Sequence, residues 1–348
     1  MNCNFTTNKI LIDWLSFTIN DMDISDLISL MGFDDIQFAD VRGGRGYAHR
    51  YFYDGVSIHY DPCSDDISSL WVEMSGQGCR VFESYGAGDW IYLLSNILNH
   101  DVNITRLDVA YDDFNGLINL DYIVADTLAH NYVTRADYNS WDVHLSGDGT
   151  CVTIGKSKSQ ISCRIYDKRA ERHRDDVDHW VRCELQLRYQ SAEQFCNLLC
   201  KHSAIIPNCD NSFSNIKIDD GISIDRLYFG VLNNYLRFID PNTNNDSNIW
   251  RAPCAEHWES FAHSVTDEKI SLWVKPGVEY NVLRLDRVVE KMFSGATCTY
   301  AMIHGIDKLV SVLVERLPYL NVKYKSLINN HFNDFEFNQL QRGETIYD

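Results

Sequence analysis

A strict alternation of apolar and polar residues, repeated along several segments, most constrains what this chain can fold into. From Leu107 to Tyr111 every second residue is apolar, while Arg106, Asp108 and Asp112 occupy the positions of opposite phase. Period-two alternation of this kind is typical of antiparallel strands that turn one face to a core and the other to solvent. Strands are predicted at residues 10–19, 56–60, 69–75, 104–112, 151–155, 160–168 and 180–188.

Helical patterns lie between and after these strands. Helices are predicted at residues 24–31, 88–98, 120–129 and 191–202, the last opened by a capping box from Ser191 to Gln194. Residues 206–220 are polar and loop-like, whereas 281–293 and 300–316 show apolar residues at helical spacing. The sequence therefore predicts an α+β fold, with an antiparallel sheet carrying helices on one face and a mainly helical C-terminal region. The predicted domains are residues 1–205, catalytic, and 206–348.

Composition limits the functional classes. The chain has 348 residues, of which 45% are hydrophobic, which is ample for a packed core. Eleven cysteines without a CxxC pair indicate reduced thiols, and no segment resembles a signal peptide or membrane span, so a cytoplasmic protein without a membrane partner is expected. A net charge of −18 opposes general polyanion binding, but a localised basic groove needs only a few cations.

One segment carries positive charge against this acidic background. Residues 156–174 contain seven Lys or Arg and two acids. A second basic stretch, the glycine-rich residues 41–50, lacks the Lys-Ser/Thr ending of a P-loop. An ordinary exposed turn is the favoured interpretation there, and a phosphate-contacting hairpin is the alternative. The candidate DNA-backbone contacts are Lys156, Lys158, Arg169, Arg172, Arg42 and Arg45.

The same basic segment contains a candidate nucleophile. On strand 160–168, Tyr166 shares a face with Arg164 and Lys168. A tyrosine hydroxyl has an ordinary pKa of about 10 and needs cations or a metal to become nucleophilic. Lys168 would supply that charge or protonate a leaving oxygen, so attack of Tyr166 on a phosphodiester is predicted. The alternative is an amphipathic strand with a solvated cationic face.

Carboxylates at strand centres form the second part of the predicted site. Asp108, Glu184 and Glu73 lie mid-strand on polar faces, where acids are rare by propensity. Mg²⁺ or Mn²⁺ prefers oxygen ligands of this kind, so these three acids are the predicted metal ligands. Asp112 is the predicted substitute for Glu73, whereas the phase of Asp13 places it on the opposite face. The alternative is a solvated sheet face without metal.

Several of these segments together resemble a known family, the replication initiation factors (Rep_trans type) of rolling-circle phages and plasmids, which include some conjugative relaxases. The resemblance spans about residues 10 to 265 and rests on IDWLSFTI at 12–19, VEMSGQGC at 72–79, ITRLDVAYDD at 104–113, IGKSKSQISCRIYDKRAE at 154–171, RCELQLR at 182–188, LRFID at 236–240 and WRAPCAEHWESF at 250–261. The three central motifs, in this order, are the more specific ones.

The resemblance implies an activity. Members nick one DNA strand at an origin through a tyrosine, stay joined to the 5′ phosphate and later rejoin the ends. Tyr166 would be the nucleophile and Lys168 its assisting cation. Origin DNA, a host helicase and polymerase, and a second copy of the chain are the implied partners. A mobilisation relaxase with the same chemistry and a non-catalytic nucleic-acid-binding or regulatory protein are the alternatives.

Overall fold

The computed structural model describes residues 8–61, 69–136, 140–146, 149–156, 158–200, 206–207, 213–214, 222–241, 248–272, 289, 293–320 and 328. Its strands are β1 (Lys9–Ile19), β2 (Ala39–Arg42), β3 (His49–Tyr53), β4 (Val56–Tyr60), β5 (Leu70–Met74), β6 (Val102–Asp113), β7 (Tyr132–Thr134), β8 (Trp141–Ser146), β9 (Gly149–Ile154), β10 (Ile161–Asp167), β11 (Val181–Arg188), β12 (Ile206–Pro207), β13 (Phe213–Ser214) and β14 (Leu236–Phe238).

The helices are α1 (Ile24–Leu30), α2 (Gly76–Tyr85), α3 (Trp90–Ile97), α4 (Leu120–Leu128), α5 (Lys168–Glu171), α6 (Gln190–Cys200), α7 (Ile224–Tyr235), α8 (Glu256–Ala262), α9 (Ser294–His304) and α10 (Ile306–Arg316). Side chains cap several of their first turns. Ser75 accepts from the backbone N–H of Gly78 at the start of α2, and Asp89 accepts from that of Tyr92 at the start of α3.

A single large sheet dominates the described chain. Ten strands pair in the order β2-β3-β4-β5-β1-β6-β11-β10-β9-β8, and every neighbouring pair is antiparallel. Two short sheets, β12 with β13 and β7 with β14, are separate. The predicted α+β fold is confirmed.

The two faces of this sheet differ in chemistry. One face forms the hydrophobic core together with helices α2, α3, α4, α6, α7 and α8. Fully buried residues of this core include Phe17, Val109, Leu185, Ile165, Phe82, Leu94, Ile123, Phe195, Tyr228 and Trp258. The opposite face, here called the polar face, carries the charged side chains of β6, β10 and β11 and is the face that holds the candidate site.

Two single-residue bulges interrupt the pairing of β1 with β6. The first lies at Asp13, between the pairs Ile12↔Val109 and Trp14↔Asp108. A bulge leaves ladder groups without a strand partner, and here Arg80 of α2 donates to the carbonyl of Ile12 at 2.5 Å. The bulge re-aims Asp13 and switches the phase of β1, so that Trp14 faces the polar side.

The second bulge lies in β6, at Thr105, between the pairs Ser16↔Arg106 and Phe17↔Ile104. The Thr105 hydroxyl lies 3.1 Å from the Ser16 carbonyl and 2.8 Å from the Ser16 hydroxyl. The Thr105 side chain therefore provides a hydrogen bond to the Ser16 carbonyl at the point where the bulge interrupts the ladder.

Contacts divide the chain into two compact units, residues 1–42 with 49–274 and residues 43–48 with 275–348. The predicted boundary after residue 205 falls inside the first unit, because α7 packs against the sheet. The hydroxyl of Tyr228 on α7 donates to the carbonyl of Cys183 on β11 at 2.8 Å. In the second unit, α9 and α10 cover most of the predicted helical segment 300–316, whereas 281–293 lies almost wholly outside the described residues.

Three elements differ from the sequence-based expectation. Residues 39–53 form the β2–β3 hairpin rather than a turn alone, β8 occupies part of the predicted loop at 137–149, and α2 begins directly after β5. Glycine hid α2 from the sequence pattern, yet glycine is needed there, because a Cβ at Gly78 would lie 2.3 Å from the carbonyl oxygen of Gly55. Within the described residues, no helix has the length and apolar character needed to cross a membrane.

Candidate active site

Tyr166 lies near the end of β10 on the polar face, surrounded by charged groups. Its hydroxyl donates to Glu184 Oε2 at 3.1 Å and accepts from Lys168 Nζ at 3.4 Å. The Arg164 guanidinium carbon lies 4.9 Å from the centre of the Tyr166 ring, within the range of a cation–π contact. The structure thus brings together the three predicted catalytic residues, Tyr166, Lys168 and Arg164, on the face that strand phase predicts.

This site is closed rather than open to solvent. Tyr166 and Lys168 are only 5% and 3% exposed, and neither belongs to the hydrophobic core cluster. Lys168 opens α5 and also forms an ion pair with Glu171. Sequence alternation indicated which side chains share the polar face but not how deeply they lie.

Glu184, the acid that contacts the tyrosine hydroxyl, lies on β11 directly opposite Arg164 of β10. Gln186 donates to its second oxygen at 2.7 Å, and Arg164 Nη1 lies 3.6 Å from that oxygen. Burial alone would raise the pKa of Glu184, but Arg164, Gln186 and Arg182 outweigh burial, so that pKa lies below its usual value.

The tyrosine and the lysine respond to burial in opposite ways. Burial raises the pKa of the Tyr166 hydroxyl above its ordinary value, Glu184 raises it further, and Arg182 offsets part of the shift. Burial also lowers the pKa of Lys168, and the like charge of Arg182 adds to that effect. The protein alone therefore keeps Tyr166 protonated, and Lys168 holds its proton less tightly than an exposed lysine would.

Arg182 on β11, which the sequence analysis did not select, is the cross-strand neighbour of Tyr166 on β10. It forms a bidentate pair with Asp112, at 2.7 and 2.8 Å, and a further ion pair with Asp13 at 2.5 Å. Trp180 Nε1 also donates to Asp112 at 2.9 Å. The expectation for Asp13 was wrong because of the bulge, which brings this acid to the polar side. The sequence signal for this bulge was available: the buried apolar residues of β1 change from an even position, Ile12, to odd positions from Leu15 onward.

Asp108 lies on β6, diagonal to Glu184. It is 2% exposed and receives a bidentate contact from Arg106, with Nη2 at 2.5 Å. Burial, reinforced by the negative charge of Glu184, raises the pKa of Asp108 to about 7 despite Arg106. The two carboxylates therefore repel each other across a dry face, which is a condition that a bound cation would relieve.

The third predicted metal ligand lies apart from this pair. Glu73 on β5 pairs with Ser16 on β1, which pairs with Arg106 on β6. Two strand spacings, about 10 Å, separate Glu73 from the strand of Asp108. Nowhere in the described chain do three or more His, Cys, Asp or Glu side chains form a metal-binding group. The donor set here is two carboxylates, which fits Mg²⁺ or Mn²⁺, since Mg²⁺ is often held by one or two carboxylates with water and phosphate.

The six predicted DNA-contacting residues are all exposed: Lys156, Lys158, Arg169, Arg172, Arg42 and Arg45. Arg169 and Arg172 lie on or directly after α5, and Arg42 ends β2. Their contact with DNA stays a prediction.

The two alternative tyrosines occupy other positions. Tyr111 lies on the core face, where Asn8 donates to its hydroxyl at 2.8 Å and Phe261 packs at 5.1 Å between ring centres. Tyr189 follows β11 and is 44% exposed. Among these three tyrosines, Tyr166 is the one whose hydroxyl contacts both a carboxylate and an ammonium group.

Comparisons with known proteins agree with the fold. The structure of a rolling circle replication initiator protein from Geobacillus stearothermophilus is similar, with a TM-score of 0.63 and 26% identity, covering 77% of this chain and all of that one. A curated relative, the putative DNA relaxase NicK of Bacillus subtilis (strain 168), is 25% identical over 289 residues, which is 78% of this chain and 74% of the relative. The class is that of rolling-circle initiators and relaxases.

The replication initiation factor family model matches residues 102–316, and the model of the N-terminal domain of rolling circle replication initiation proteins matches residues 9–95. The chain belongs to the replication initiation factor family.

Proposed function

We propose that this protein nicks one strand of origin DNA through Tyr166 and later rejoins the ends. The observation that carries the proposal is the Tyr166 hydroxyl, which is held between Glu184 at 3.1 Å and Lys168 at 3.4 Å. A nucleophile needs a group that takes its proton and a group that stabilises developing charge. Family membership supports the substrate class.

The chemical step is a transesterification. The Tyr166 oxygen forms a bond to the scissile phosphorus while the bond from phosphorus to the 3′ oxygen breaks. Lys168 in its neutral form, which its lowered pKa makes accessible, takes the hydroxyl proton and gives it to the departing 3′ oxygen. The 5′ phosphate stays on the tyrosine, and reversal of the step by a free 3′ hydroxyl rejoins the strand. No external oxidant or energy source is needed, because one phosphodiester replaces another.

A divalent cation, Mg²⁺ or Mn²⁺, is part of this proposal. Asp108 and Glu184 would hold it, with the substrate phosphate and water as further ligands. When bound, the cation supplies positive charge that polarises the phosphate and favours the phenolate over the phenol. The raised pKa of Asp108 supports this assignment, because burial and Glu184 leave that carboxylate short of positive charge. Glu73 is not needed for this two-carboxylate arrangement.

A covalent-adduct assay tests the proposal. Supercoiled plasmid carrying the origin, or single-stranded DNA that spans it, is incubated with protein and Mg²⁺ and then denatured. Wild type should give nicked product with protein attached at the 5′ phosphate. Tyr166→Phe should abolish the adduct and leave DNA binding nearly unchanged, because only one hydroxyl is lost.

Tyr189→Phe is the matched control, since it removes an exposed tyrosine hydroxyl that follows β11 and should keep the adduct. A normal adduct in Tyr166→Phe would move the nucleophile elsewhere. DNA binding without nicking by the wild type under any divalent metal would favour the non-catalytic alternative.

A mobilisation relaxase is the second candidate, favoured by the similarity to the putative DNA relaxase of Bacillus subtilis. The chemistry is the same, so the strand-transfer assay does not separate the two. Replication of an origin plasmid and transfer of an origin plasmid between cells, each measured with wild type and Tyr166→Phe, would do so.

A further inference from the structure

Two arginines on the polar face, beside the proposed cation ligand Asp108, have less negative charge around them than two cations need. Arg106 on β6 and Arg188 on β11 are directly opposed cross-strand neighbours. Like charges in that relation are destabilising. One acid, Asp108, neutralises Arg106 through a bidentate contact. Burial, followed by the charge of Arg106, lowers the pKa of Arg188, and the charge of Asp108 offsets part of that shift.

Two buried hydrogen-bond donors, one on each strand beside that of Arg106, have no acceptor among the residues that the structure describes. Arg188 Nε and Trp14 Nε1 are both buried atoms without a hydrogen-bond partner. Buried donors are normally satisfied, and leaving one unpaired costs about 1–3 kcal/mol. Trp14 lies on the strand next to Arg106, and both residues are only partly buried as a whole, so a ligand can reach them.

The third feature is a flat stack. The Arg106 guanidinium carbon lies 4.2 Å from the centre of the Trp14 ring. Single-stranded nucleic acids bind proteins by stacking unpaired bases on aromatic rings or on arginine planes, while cations hold the phosphates. Opposed arginines, unpaired donors and a planar stack are together the chemistry of a nucleotide site.

We propose that Trp14, Arg106 and Arg188 form a subsite for one nucleotide of single-stranded DNA, with the phosphate held by the two arginines and the base stacked on Arg106 and Trp14. The proposal rests on the proposed function for the identity of the polymer. Arg106 lies two residues along β6 from Asp108, the proposed cation ligand, which is about 7 Å of strand. The subsite would engage a nucleotide next to the scissile phosphate. It would therefore hold the strand in register for cleavage.

Binding of fluorescent oligonucleotides, measured by anisotropy without metal, tests the subsite apart from cleavage. The probes are an oligothymidylate and an abasic sugar–phosphate strand of the same length. Trp14→Leu should bind the oligothymidylate about tenfold more weakly and the abasic strand like wild type, because it removes stacking alone. Arg188→Gln should weaken binding to both probes and reduce the slope of log affinity against log salt by about 0.7.

Arg226→Gln is the matched control, because Arg226 is an exposed arginine paired with Glu268 and far along the chain from this face. Trp14→Phe keeps a ring and should restore binding of the oligothymidylate. Thermal unfolding provides the second readout: Arg188→Gln should melt no lower than wild type, since it removes a like-charge contact.

The inference is overturned if Trp14→Leu and Arg188→Gln bind both probes as Arg226→Gln does. It is also overturned if Arg188→Gln melts several degrees lower, since the arginine would then hold the fold. If the proposed function alone is wrong, the wild type does not nick DNA, but Trp14→Leu and Arg188→Gln still differ from Arg226→Gln in binding the two probes.

Discussion

Asp108 provides a quantitative test of the electrostatics of the polar face. Its pKa is raised from 3.8 to about 7, because burial and Glu184 outweigh the bidentate contact with Arg106. The folded protein then binds a proton on Asp108 at pH values where the unfolded chain has lost it. The stability contributed by this group is full below pH 3.8 and is lost as the pH rises to about 7. Asp108→Asn removes the titration while keeping the shape of the side chain.

The magnitude follows from the size of the shift. One pKa unit corresponds to about 1.36 kcal/mol, so the whole shift is worth on the order of 4 kcal/mol. The chain has an isoelectric point near 5.0, where solubility is lowest, so a usable titration begins at about pH 5.5. Between about pH 5.5 and 8 the remaining 1.5 units amount to about 2 kcal/mol. Because Asp108 and Glu184 interact, this difference belongs to the pair.

Urea unfolding, followed by tryptophan fluorescence at several pH values without divalent metal, measures the effect. The free energy of unfolding of wild type should fall by about 2 kcal/mol more than that of Asp108→Asn between about pH 5.5 and 8. Asp26→Asn, an exposed carboxyl-to-amide change on α1, should leave the wild-type pH dependence unchanged. Parallel curves for wild type and Asp108→Asn would refute the reasoning, because Asp108 would then be ionised throughout the range.

Three further outcomes are expected. Arg182→Met should lower the free energy of unfolding by about 3–5 kcal/mol, because it leaves two carboxylates without their cation. Arg226→Met, at an exposed ion pair, should leave the free energy of unfolding nearly unchanged, and equal urea midpoints for the two variants would contradict this. Lys168→Ala should slow formation of the covalent adduct by about 10²- to 10⁴-fold, measured in single-turnover time courses, and an unchanged rate would remove Lys168 from the chemistry. Mg²⁺ should raise the melting temperature of wild type and not that of Asp108→Ala or Glu184→Ala, and equal shifts in all three proteins would place the cation elsewhere.

Much of the fold follows from side-chain periodicity alone. The alternation in residues 104–112 and 180–188 gave the correct faces for Asp108, Glu184 and Tyr111, because strand side chains must alternate wherever one face is buried. The same rule failed in β1, where a bulge changes the phase within one strand. A turn was favoured over the β2–β3 hairpin because glycine and arginine fill the residues between its strands. β8 alternates Trp141, Val143 and Leu145 with polar residues, but polar residues on both sides concealed it.

The candidate site was predicted in part. Strand phase placed Tyr166 beside Arg164 and Lys168 on one face, but it carried no information on strand order. Glu73 was grouped with Asp108 because both are mid-strand acids, whereas the observed order inserts β1 between their strands. Arg182 was overlooked because its partners, Asp112 and Asp13, come from β6 and from the bulge in β1. Only the fold brings them together.

The two bulges between β1 and β6 shift the strand register in opposite directions, so the second cancels the first. Asp13 adds one residue to β1 and Thr105 adds one to β6, so the pairing slips by one position at Trp14–Ser16 and returns to its original register at Phe17. Neither extra residue has a residue opposite it in the β1–β6 ladder, so deleting it would leave every other pair, and the side of the sheet that each other residue faces, unchanged. We therefore expect some relatives to lack one residue at either position while keeping the same fold. A gap at residue 13 would mark relatives in which Arg182 has lost one of its two acids.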